Sequence, residues 1–226
     1  MLSNWLIVAA TPAEIKPFTA FLEVNAKSVD ANCYFFDDKN ITILITGVGL
    51  THTAYHMGVA LARQSYDWVV NAGIGGAVSR KLAIGDVVEI QSECFGDTGA
   101  ETAEGTFINI HEMGLIDPDN PPFQNGKMNN PHAGISGLPL AKGISVNKVH
   151  GYWPSITNIM TNYDADVETM EGAAFFYACL MAGQPFLQVR AISNYVEPRD
   201  RSKWDIPKAV KALNDELIRI IREKQL

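Results

Sequence analysis

Two carboxylates lie three residues apart in residues 168–172, sequence ETMEG, just before an apolar stretch of helical character. An ionised carboxylate only accepts hydrogen bonds, so Glu171 could bind two vicinal hydroxyl groups of a sugar at once. Glu168 could instead be a negative charge that the dipole favours at a helix N-terminus. The segment therefore predicts a site for a hydroxylated ligand, with Glu171 as its main candidate.

A third carboxylate, Glu14, follows the first apolar run of the chain in the sequence TPAE. Thr11 as N-cap, Pro12 at the first helical position and Glu14 two residues later predict a capping box at the start of a helix. The same carboxylate would lie at a strand end, where it could orient and deprotonate a water molecule. The two roles are compatible.

Arg190 lies in the largely apolar residues 186–192, which are typical of a buried strand. A buried guanidinium needs a partner, so we expect a structural ion pair, with Glu171 as the candidate carboxylate. Asn194 ends this strand and is either a turn residue or a polar group at a ligand site.

Two glycine-rich segments invite comparison with dinucleotide-binding loops: residues 47–52 (GVGLTH) and 73–76 (GIGG). Neither has the GxGxxG spacing, and neither follows the first strand, so a Rossmann oxidoreductase is disfavoured. We interpret them as tight turns between strand and helix, Gly76 above all. Gly73 and Gly75 could equally mark a close approach of the backbone to a ligand.

His52 and His56 have the i, i+4 spacing of helical metal ligands, but no Glu follows His52 and no third ligand is near. We interpret them as histidines on a helix surface and expect no metal. Cys33, Cys94 and Cys179 form neither a CxxC pair nor a disulfide framework, which indicates a reducing, cytoplasmic location. A serine nucleophile elbow is also absent from the sequence.

Composition limits the partners of the chain. It has 226 residues, 47% hydrophobic and 19% charged, with a formal net charge of −7. The acidic balance disfavours nucleic acid and anionic membrane surfaces. The longest nearly unbroken apolar stretch, residues 172–183, is shorter than the about 20 residues of a membrane span. No basic residue precedes the first apolar run, so we expect no signal peptide.

Short apolar runs alternate with helical patterns, which predicts one α/β domain over residues 1–226, with a mostly parallel sheet wrapped by helices. The predicted strands are residues 5–10, 41–46, 68–70, 85–90, 143–149 and 185–193. The predicted helices begin near residue 11 and cover 51–64, 171–181 and 207–224. Residues 95–132 lack periodicity. The strand ends would bring Thr11, Gly47, Gly73 and Asn194 to the rim where such sheets bind ligands.

Four segments resemble the purine and uridine nucleoside phosphorylase superfamily, in its nucleosidase branch. They are residues 8–14 (VAATPAE), 71–76 (NAGIGG), 168–174 (ETMEGAA) and 189–194 (VRAISN), and they span almost the whole chain. The resemblance implies a three-layer α/β/α fold around a mixed, largely parallel twisted sheet. It also implies a small-molecule nucleoside substrate, no cofactor, and a homo-oligomer in which a neighbour can complete the pocket.

Within this branch, methylthioadenosine/S-adenosylhomocysteine nucleosidases carry Asp at the position of Asn194 and Ser or Thr at that of Ile74. Residues 164–172 and 193–201, followed by Trp204, instead resemble the futalosine hydrolases, which release hypoxanthine from futalosine on a route to menaquinone. An amide can donate to the purine O6 while its carbonyl accepts N7–H, so Asn194 favours a 6-oxopurine.

The resemblance also implies roles for individual residues. Glu14 would activate water, and Asn194 would stabilise the leaving purine. Glu171 would bind the ribose hydroxyls above Met170. Further substrate contacts are expected from Gly73, Ile74, Val149, Ser193 and Trp204, with Arg190 and Glu168 behind them. Lys203, Arg199 or Arg201 could meet the benzoate tail of futalosine.

Hydrolysis is favoured over phosphorolysis, because no arginine adjoins Gly47 and the Glu14 carboxylate would repel phosphate. Three alternatives stay open: a methylthioadenosine or aminodeoxyfutalosine nucleosidase, a purine nucleoside phosphorylase for inosine, and a nucleoside-binding module without activity.

Overall fold

The structure is a computed structural model that describes residues 2–223, with one large sheet and a separate small hairpin. The strands are β1 (Ser3–Ala9), β2 (Lys27–Asp30), β3 (Cys33–Phe36), β4 (Lys39–Ile45), β5 (Trp68–Ala77), β6 (Val87–Glu93), β7 (Gly99–Glu101), β8 (Phe107–Asn109), β9 (Met128–Asn129), β10 (Leu140–Ser145), β11 (Val167–Thr169) and β12 (Phe186–Tyr195). The α-helices are α1 (Lys16–Asn25), α2 (Leu50–Arg63), α3 (Trp153–Asn162), α4 (Gly172–Met181) and α5 (Ile206–Glu223).

The large sheet has the strand order β11-β10-β6-β12-β5-β1-β4-β3-β2. Its centre is parallel, since β1 pairs with β4 and β5, and β5 pairs with β12. Antiparallel pairs join β6 to β12 and β2 to β3. The prediction of a mixed, largely parallel sheet is therefore confirmed.

One end of the sheet closes on itself, which the sequence did not predict. The last residues of β5 pair antiparallel with β11, Gly76 opposite Glu168 and Ala77 opposite Val167. Strands β5, β12, β6, β10 and β11 thus form a ring, while β1 to β4 extend from it as an open sheet. The closure brings the ends of β5, β11 and β12 to one place.

Glycine makes this closure sterically feasible. A Cβ atom on Gly75 would lie 2.7 Å from the Val167 Cγ1 and 3.2 Å from the Glu168 carbonyl oxygen. The interpretation of residues 73–76 as a turn is therefore wrong. These residues continue β5, and the missing side chains allow β11 to approach.

Helices cover both faces of the sheet, which confirms the three-layer fold. On one face α1 and α5 bury Phe18 and Leu213 against the sheet. On the other face α2 and α4 bury Met57 and Phe175. Helix α3 packs Ile156 into a smaller cluster beside the ring.

The first helix begins later than predicted. Residues 11–15 form a turn, and α1 starts at Lys16 with Pro17 in its first turn. The Glu14 carboxylate does reach back to the Thr11 N–H at 2.9 Å, as a capping-box carboxylate would. The Glu14 N–H donates to the Thr11 carbonyl oxygen and not to its hydroxyl, so only the carboxylate half of the predicted capping box is present, and it stabilises a turn at the end of β1 rather than a helix start.

Outside residues 95–132, the elements that were not predicted are the β2–β3 hairpin, α3 and β11. Residues 95–132 are mostly irregular, as expected, with only β7, β8 and β9 in them. The predicted closing helix is α5, and Lys224 lies outside the described residues. Among residues 2–223, no helix is both long and apolar enough to cross a membrane.

Candidate active site

A cavity of about 460 Å³ opens where β1, β5, β11 and β12 end, at the predicted rim. Most of the predicted site residues line it, namely Glu14, Ile74, Val149, Glu168, Met170, Glu171, Ser193, Asn194 and Trp204. Gly73 and Arg190 do not line it and lie behind its wall. The cavity has the size of small-molecule sites.

Glu14 lies at the cavity wall with both carboxylate oxygens fixed. One oxygen accepts from the Ile74 N–H at 3.2 Å, and the other accepts from the Thr11 N–H at 2.9 Å and the Thr11 hydroxyl at 3.0 Å. A carboxylate has about four lone-pair sites. A free site therefore remains on Glu14 for a water molecule.

Helix α5 anchors Glu14 from behind through Asn214, which is buried. The Asn214 amide nitrogen donates to the Glu14 carbonyl oxygen at 2.8 Å, and its oxygen accepts from the Phe18 N–H at 2.9 Å. The second bond satisfies one of the unpaired N–H groups at the start of α1. Asn214 thereby ties the Glu14 backbone and the first turn of α1 to α5.

Glu171 precedes the first residue of α4, and its side chain turns across the cavity to the β4–α2 loop. Its Oε1 accepts from the Gly49 N–H at 2.9 Å, at the N-terminus of α2. Burial raises the pKa of Glu171, while the charge of Arg190 and the Gly49 bond oppose that rise. The second oxygen, Oε2, is available to a ligand hydroxyl.

Arg190 is fully buried, and the expected ion pair with Glu171 is wrong: within the described residues Arg190 makes no ion pair. Its Nη1 donates to the carbonyl oxygens of Val189 at 3.0 Å and Asn71 at 3.5 Å, and its Nε has no partner. Burial lowers its pKa, which the charges of Glu171, Glu93 and Glu14 oppose. Arg190 thus acts on three carboxylates at longer range.

Gly73 provides room for this arrangement. A Cβ atom there would lie 3.0 Å from the Glu14 Oε1 and 3.5 Å from the Arg190 Cζ. Gly73 therefore allows Glu14 and Arg190 to pack against β5, and the structure gives it no contact with the cavity.

Glu93 forms a buried polar cluster beneath the start of α4, which sequence reasoning missed. It accepts from the Gln188 amide at 2.6 Å and from the Ser145 hydroxyl at 3.0 Å. Ser145 in turn accepts from the Ala173 N–H at 2.8 Å. Burial raises the pKa of Glu93 to about 7, although Gln188, Arg190 and Ser145 each lower it. This cluster supports the backbone that carries Glu171.

Asn194 sits after a bulge in β12, where the register with β5 shifts between Ile192 and Asn194. Its amide nitrogen donates to the Tyr195 carbonyl oxygen at 3.0 Å, and its Oδ1 accepts from the Ser193 hydroxyl at 2.8 Å. A carbonyl oxygen cannot donate, so the amide has one favourable orientation. One N–H and one lone pair of Asn194 remain for a ligand.

Glu168 is not a charge at a helix N-terminus, because it lies within β11 and binds His150. Its Oε1 accepts from the His150 backbone N–H at 3.1 Å, and its Oε2 contacts the His150 Nδ1. A carboxylate only accepts, so Nδ1 is the donor in this contact. His150 lines the cavity and was also missed, since nothing in the sequence links it to Glu168.

Residues 2–223 contain no cluster of three or more His, Cys, Asp or Glu side chains that could hold a metal ion. His52 is exposed on α2, with its Nδ1 next to the Val48 carbonyl oxygen at 2.9 Å.

Comparison with known proteins identifies the family. The family model described as "Phosphorylase superfamily" matches residues 5–223. The chain belongs to the phosphorylase superfamily. The four segments on which the expected resemblance rests all lie within the matched range.

Two relatives within the phosphorylase superfamily carry different names. A futalosine hydrolase of Acidothermus cellulolyticus is 31% identical over 216 residues, covering 92% of this chain and 86% of the relative. A 5'-methylthioadenosine/S-adenosylhomocysteine nucleosidase of Colwellia psychrerythraea is 28% identical over 203 residues, covering 80% of each chain.

The fold of this superfamily is also found in solved structures. An S-adenosylhomocysteine nucleosidase from Streptococcus pyogenes in complex with 5-methylthiotubericidin matches with a TM-score of 0.81 and 20% identity. The match covers 100% of this chain and 98% of that one.

Proposed function

We propose that this phosphorylase-superfamily protein hydrolyses the N-glycosidic bond of futalosine, giving hypoxanthine and dehypoxanthine futalosine. The observation that carries the proposal is the arrangement of Glu14, Glu171 and Asn194 around one cavity. These are a water-orienting carboxylate, a hydroxyl-binding carboxylate and an amide suited to a purine edge. The name of the Acidothermus cellulolyticus relative supports the choice of substrate.

The sugar would be held by Glu171, with Met170 packed beneath the ring. Breaking the bond to the base builds positive charge on the ribose, as in other glycoside hydrolyses. The carboxylates of Glu14 and Glu171 stabilise that charge, and Ile74 and Ser193 border the same space. Gly73 and Arg190 lie behind the cavity wall. From there the positive charge of Arg190 interacts favourably with the carboxylates of Glu171, Glu93 and Glu14.

Hydrolysis is favoured over phosphorolysis because the backbone N–H group that could bind phosphate already binds a carboxylate of the protein. In this fold a phosphate would be received by backbone N–H groups at a helix N-terminus. The Gly49 N–H at the start of α2 already binds the Glu171 carboxylate at 2.9 Å. A phosphate beside it would meet two negative groups, Glu171 and Glu14, so water is the better nucleophile.

Asn194 supports a 6-oxopurine. Asn194 presents a free N–H and a free lone pair, which suit O6 and N7–H. His150, held by Glu168, lines the same cavity. The base would lie between them, against Val149.

A methylthioadenosine or S-adenosylhomocysteine nucleosidase is the second candidate, and the name of the Colwellia psychrerythraea relative favours it. Such an enzyme must bind a 6-aminopurine, whose N1 accepts and whose 6-amino group donates. The resemblance implies an Asp, which can act as a proton donor, at the position of Asn194 in such enzymes, and this chain carries an amide there, which is why we rank this candidate second.

For the setting of the enzyme, we propose a cytoplasmic protein of menaquinone biosynthesis, with residues 1–226 working as one nucleosidase domain. We further propose a homo-oligomer. Its support is the apolar surface between α2 and α4, where Leu50, Leu61, Tyr177 and Met181 line a shallow groove.

The test is base release from futalosine, methylthioadenosine and inosine, with and without inorganic phosphate. The proposal expects hypoxanthine from futalosine at a rate that phosphate does not change. Adenine from methylthioadenosine as the main product would favour the second candidate. Inosine cleavage that requires phosphate would identify a phosphorylase, and tight binding with no turnover would identify a binding module.

A further inference from the structure

The cavity is lined by several carboxylates but, within the described residues, by only one arginine or lysine. That residue is Arg199, which follows β12 on the outer edge of the cavity. The carboxylates Glu14 and Glu171 lie on its inner wall. Glu197 also lines the cavity, but it is paired with Arg80 and Lys203, so Arg199 is the cation of this lining that is left for a ligand.

The other basic side chains near Arg199 either form ion pairs or lie outside the cavity lining. Lys203 donates to Glu197 at 3.2 Å, and Arg80 donates to the same carboxylate at 2.9 Å. These two hydrogen bonds lower the pKa of Glu197, which keeps it ionised and paired. Arg201 is exposed in the short 3-10 turn that follows and does not line the cavity.

Arg199 differs from these cations in its surroundings. Its guanidinium lies over the Trp204 ring, 5.0 Å from the ring centroid, and it makes no ion pair within the described part of the chain. Gly151 faces it from the opposite loop, where an added Cβ atom would lie 3.2 Å from the Arg199 Cβ. The guanidinium is thus held by stacking while its hydrogen-bond donors remain free.

We propose that Arg199 and Trp204 form a subsite for the aromatic carboxylate at the 5′ end of the substrate. This inference rests on the proposed function and selects one residue among Arg199, Arg201 and Lys203. The planar guanidinium binds a carboxylate through two parallel hydrogen bonds. The indole beside it offers a flat apolar surface for the ring that bears the carboxylate.

The experiment compares futalosine, futalosine methyl ester and inosine as substrates of the wild-type enzyme and of Arg199→Gln. The ester keeps the ring but removes the negative charge, and inosine lacks the tail. We expect Arg199→Gln to lower kcat/KM for futalosine by about 10- to 100-fold, the range of a lost charged hydrogen bond. Activity on the ester and on inosine should stay within about twofold of wild type.

Arg201→Gln is the matched control, since it removes the same charge two residues away and outside the cavity. It should leave all three activities unchanged. Arg199→Lys should retain part of the effect, because it keeps the charge but loses the planar fork. An equal loss in Arg201→Gln, or an equal loss on all three substrates in Arg199→Gln, would overturn the subsite.

Two further outcomes separate this inference from the proposed function. If phosphate stimulates cleavage in wild type but not in Arg199→Gln, Arg199 binds phosphate and the subsite is wrong. If wild type cleaves none of the three nucleosides, the proposed function is wrong. Calorimetric binding of futalosine and its ester then decides the subsite alone, and equal affinity of wild type and Arg199→Gln would overturn it.

Discussion

At the scale of single residues, the proposed choice of purine rests on Asn194. Its amide nitrogen faces the Tyr195 carbonyl oxygen and its Oδ1 faces the Ser193 hydroxyl. Gly76 lets the amide pack against β5, because a Cβ atom there would lie 3.2 Å from the Asn194 Nδ2. The amide is therefore fixed before any ligand binds, with one donor and one acceptor site left over.

Replacing Asn194 by Asp should shift the preference away from 6-oxopurines. A carboxylate would oppose both the Tyr195 carbonyl and the purine O6, and in its protonated form it would suit a 6-aminopurine. We expect hypoxanthine release from futalosine to fall by about 100-fold or more, because a buried polar group of the substrate loses its partner. Steady-state rates on futalosine and aminodeoxyfutalosine measure the shift, and an unchanged ratio of the two would contradict this role.

The residues of the candidate site were predictable from sequence to the extent that they follow strand ends. Glu14, Glu171 and Asn194 each adjoin an apolar run, and parallel strands bring such ends together. His150, Glu93 and Asn214 were not predicted, because each acts through a partner far away in sequence. Glu93, for example, binds Gln188, 95 positions later.

At the scale of elements, α5 and β5 determine the shape of the site. The glycine-rich end of β5 predicts a turn, but such a sequence suits a turn and a closely approached strand equally well. Only the distant β11 decides between them, since Gly75 faces Val167. Local patterns cannot reveal such a contact, which explains why the sheet was predicted but its closure was not.

Asn214→Ala should weaken both stability and catalysis, because α5 would lose its bonds to Glu14 and to α1. The Glu14 carbonyl oxygen and the Phe18 N–H would both lose their hydrogen-bond partner. Each loss should lower the free energy of unfolding by up to about 3 kcal/mol. We expect a lower urea midpoint and a lower kcat, since Glu14 is held less firmly. The measurements are urea unfolding and steady-state rates.

Lys211→Ala is the matched control on the exposed side of the same helix. It removes only a surface pair with Asp215, which contributes about 0.5 kcal/mol or less. A stability loss in Asn214→Ala no larger than that of Lys211→Ala would contradict the anchoring role.

At the scale of the whole molecule, the fold holds several buried ionisable groups near one cavity. Arg190, Glu93 and Glu171 are all less than a tenth exposed. The positive charge of Arg190 favours the ionised form of both carboxylates, and theirs favours the charged form of Arg190, but burial opposes each charged form. The stability of the protein should therefore depend on pH in a range where most surface carboxylates no longer titrate.

The raised pKa of Glu93 determines whether the free energy of unfolding rises or falls with pH. Its pKa rises from the ordinary 4.5 to about 7 on folding. Between these values the unfolded chain has lost the proton while the folded chain keeps it, so the free energy of unfolding falls as pH rises. The fall should reach about 3 kcal/mol and level off above about pH 7.

Glu93→Gln should remove this part of the pH dependence, since the amide does not titrate and can still bond to Gln188 and Ser145. Urea unfolding of wild type and Glu93→Gln at pH 5, 6, 7 and 8 tests it. The difference between the two should change by a few kcal/mol across the series. Parallel stability curves would contradict a buried, protonated Glu93.

The most direct test of the account is single-turnover release of hypoxanthine from futalosine in phosphate-free buffer, for wild type, Glu14→Gln and Glu104→Gln. Glu104 is an exposed carboxylate in the irregular segment and lies outside the cavity. We predict release by wild type and Glu104→Gln at equal rates, and a loss of about 100-fold or more in Glu14→Gln, the range of a general base. Release by Glu14→Gln at the wild-type rate would contradict the assignment of Glu14 as the residue that activates water.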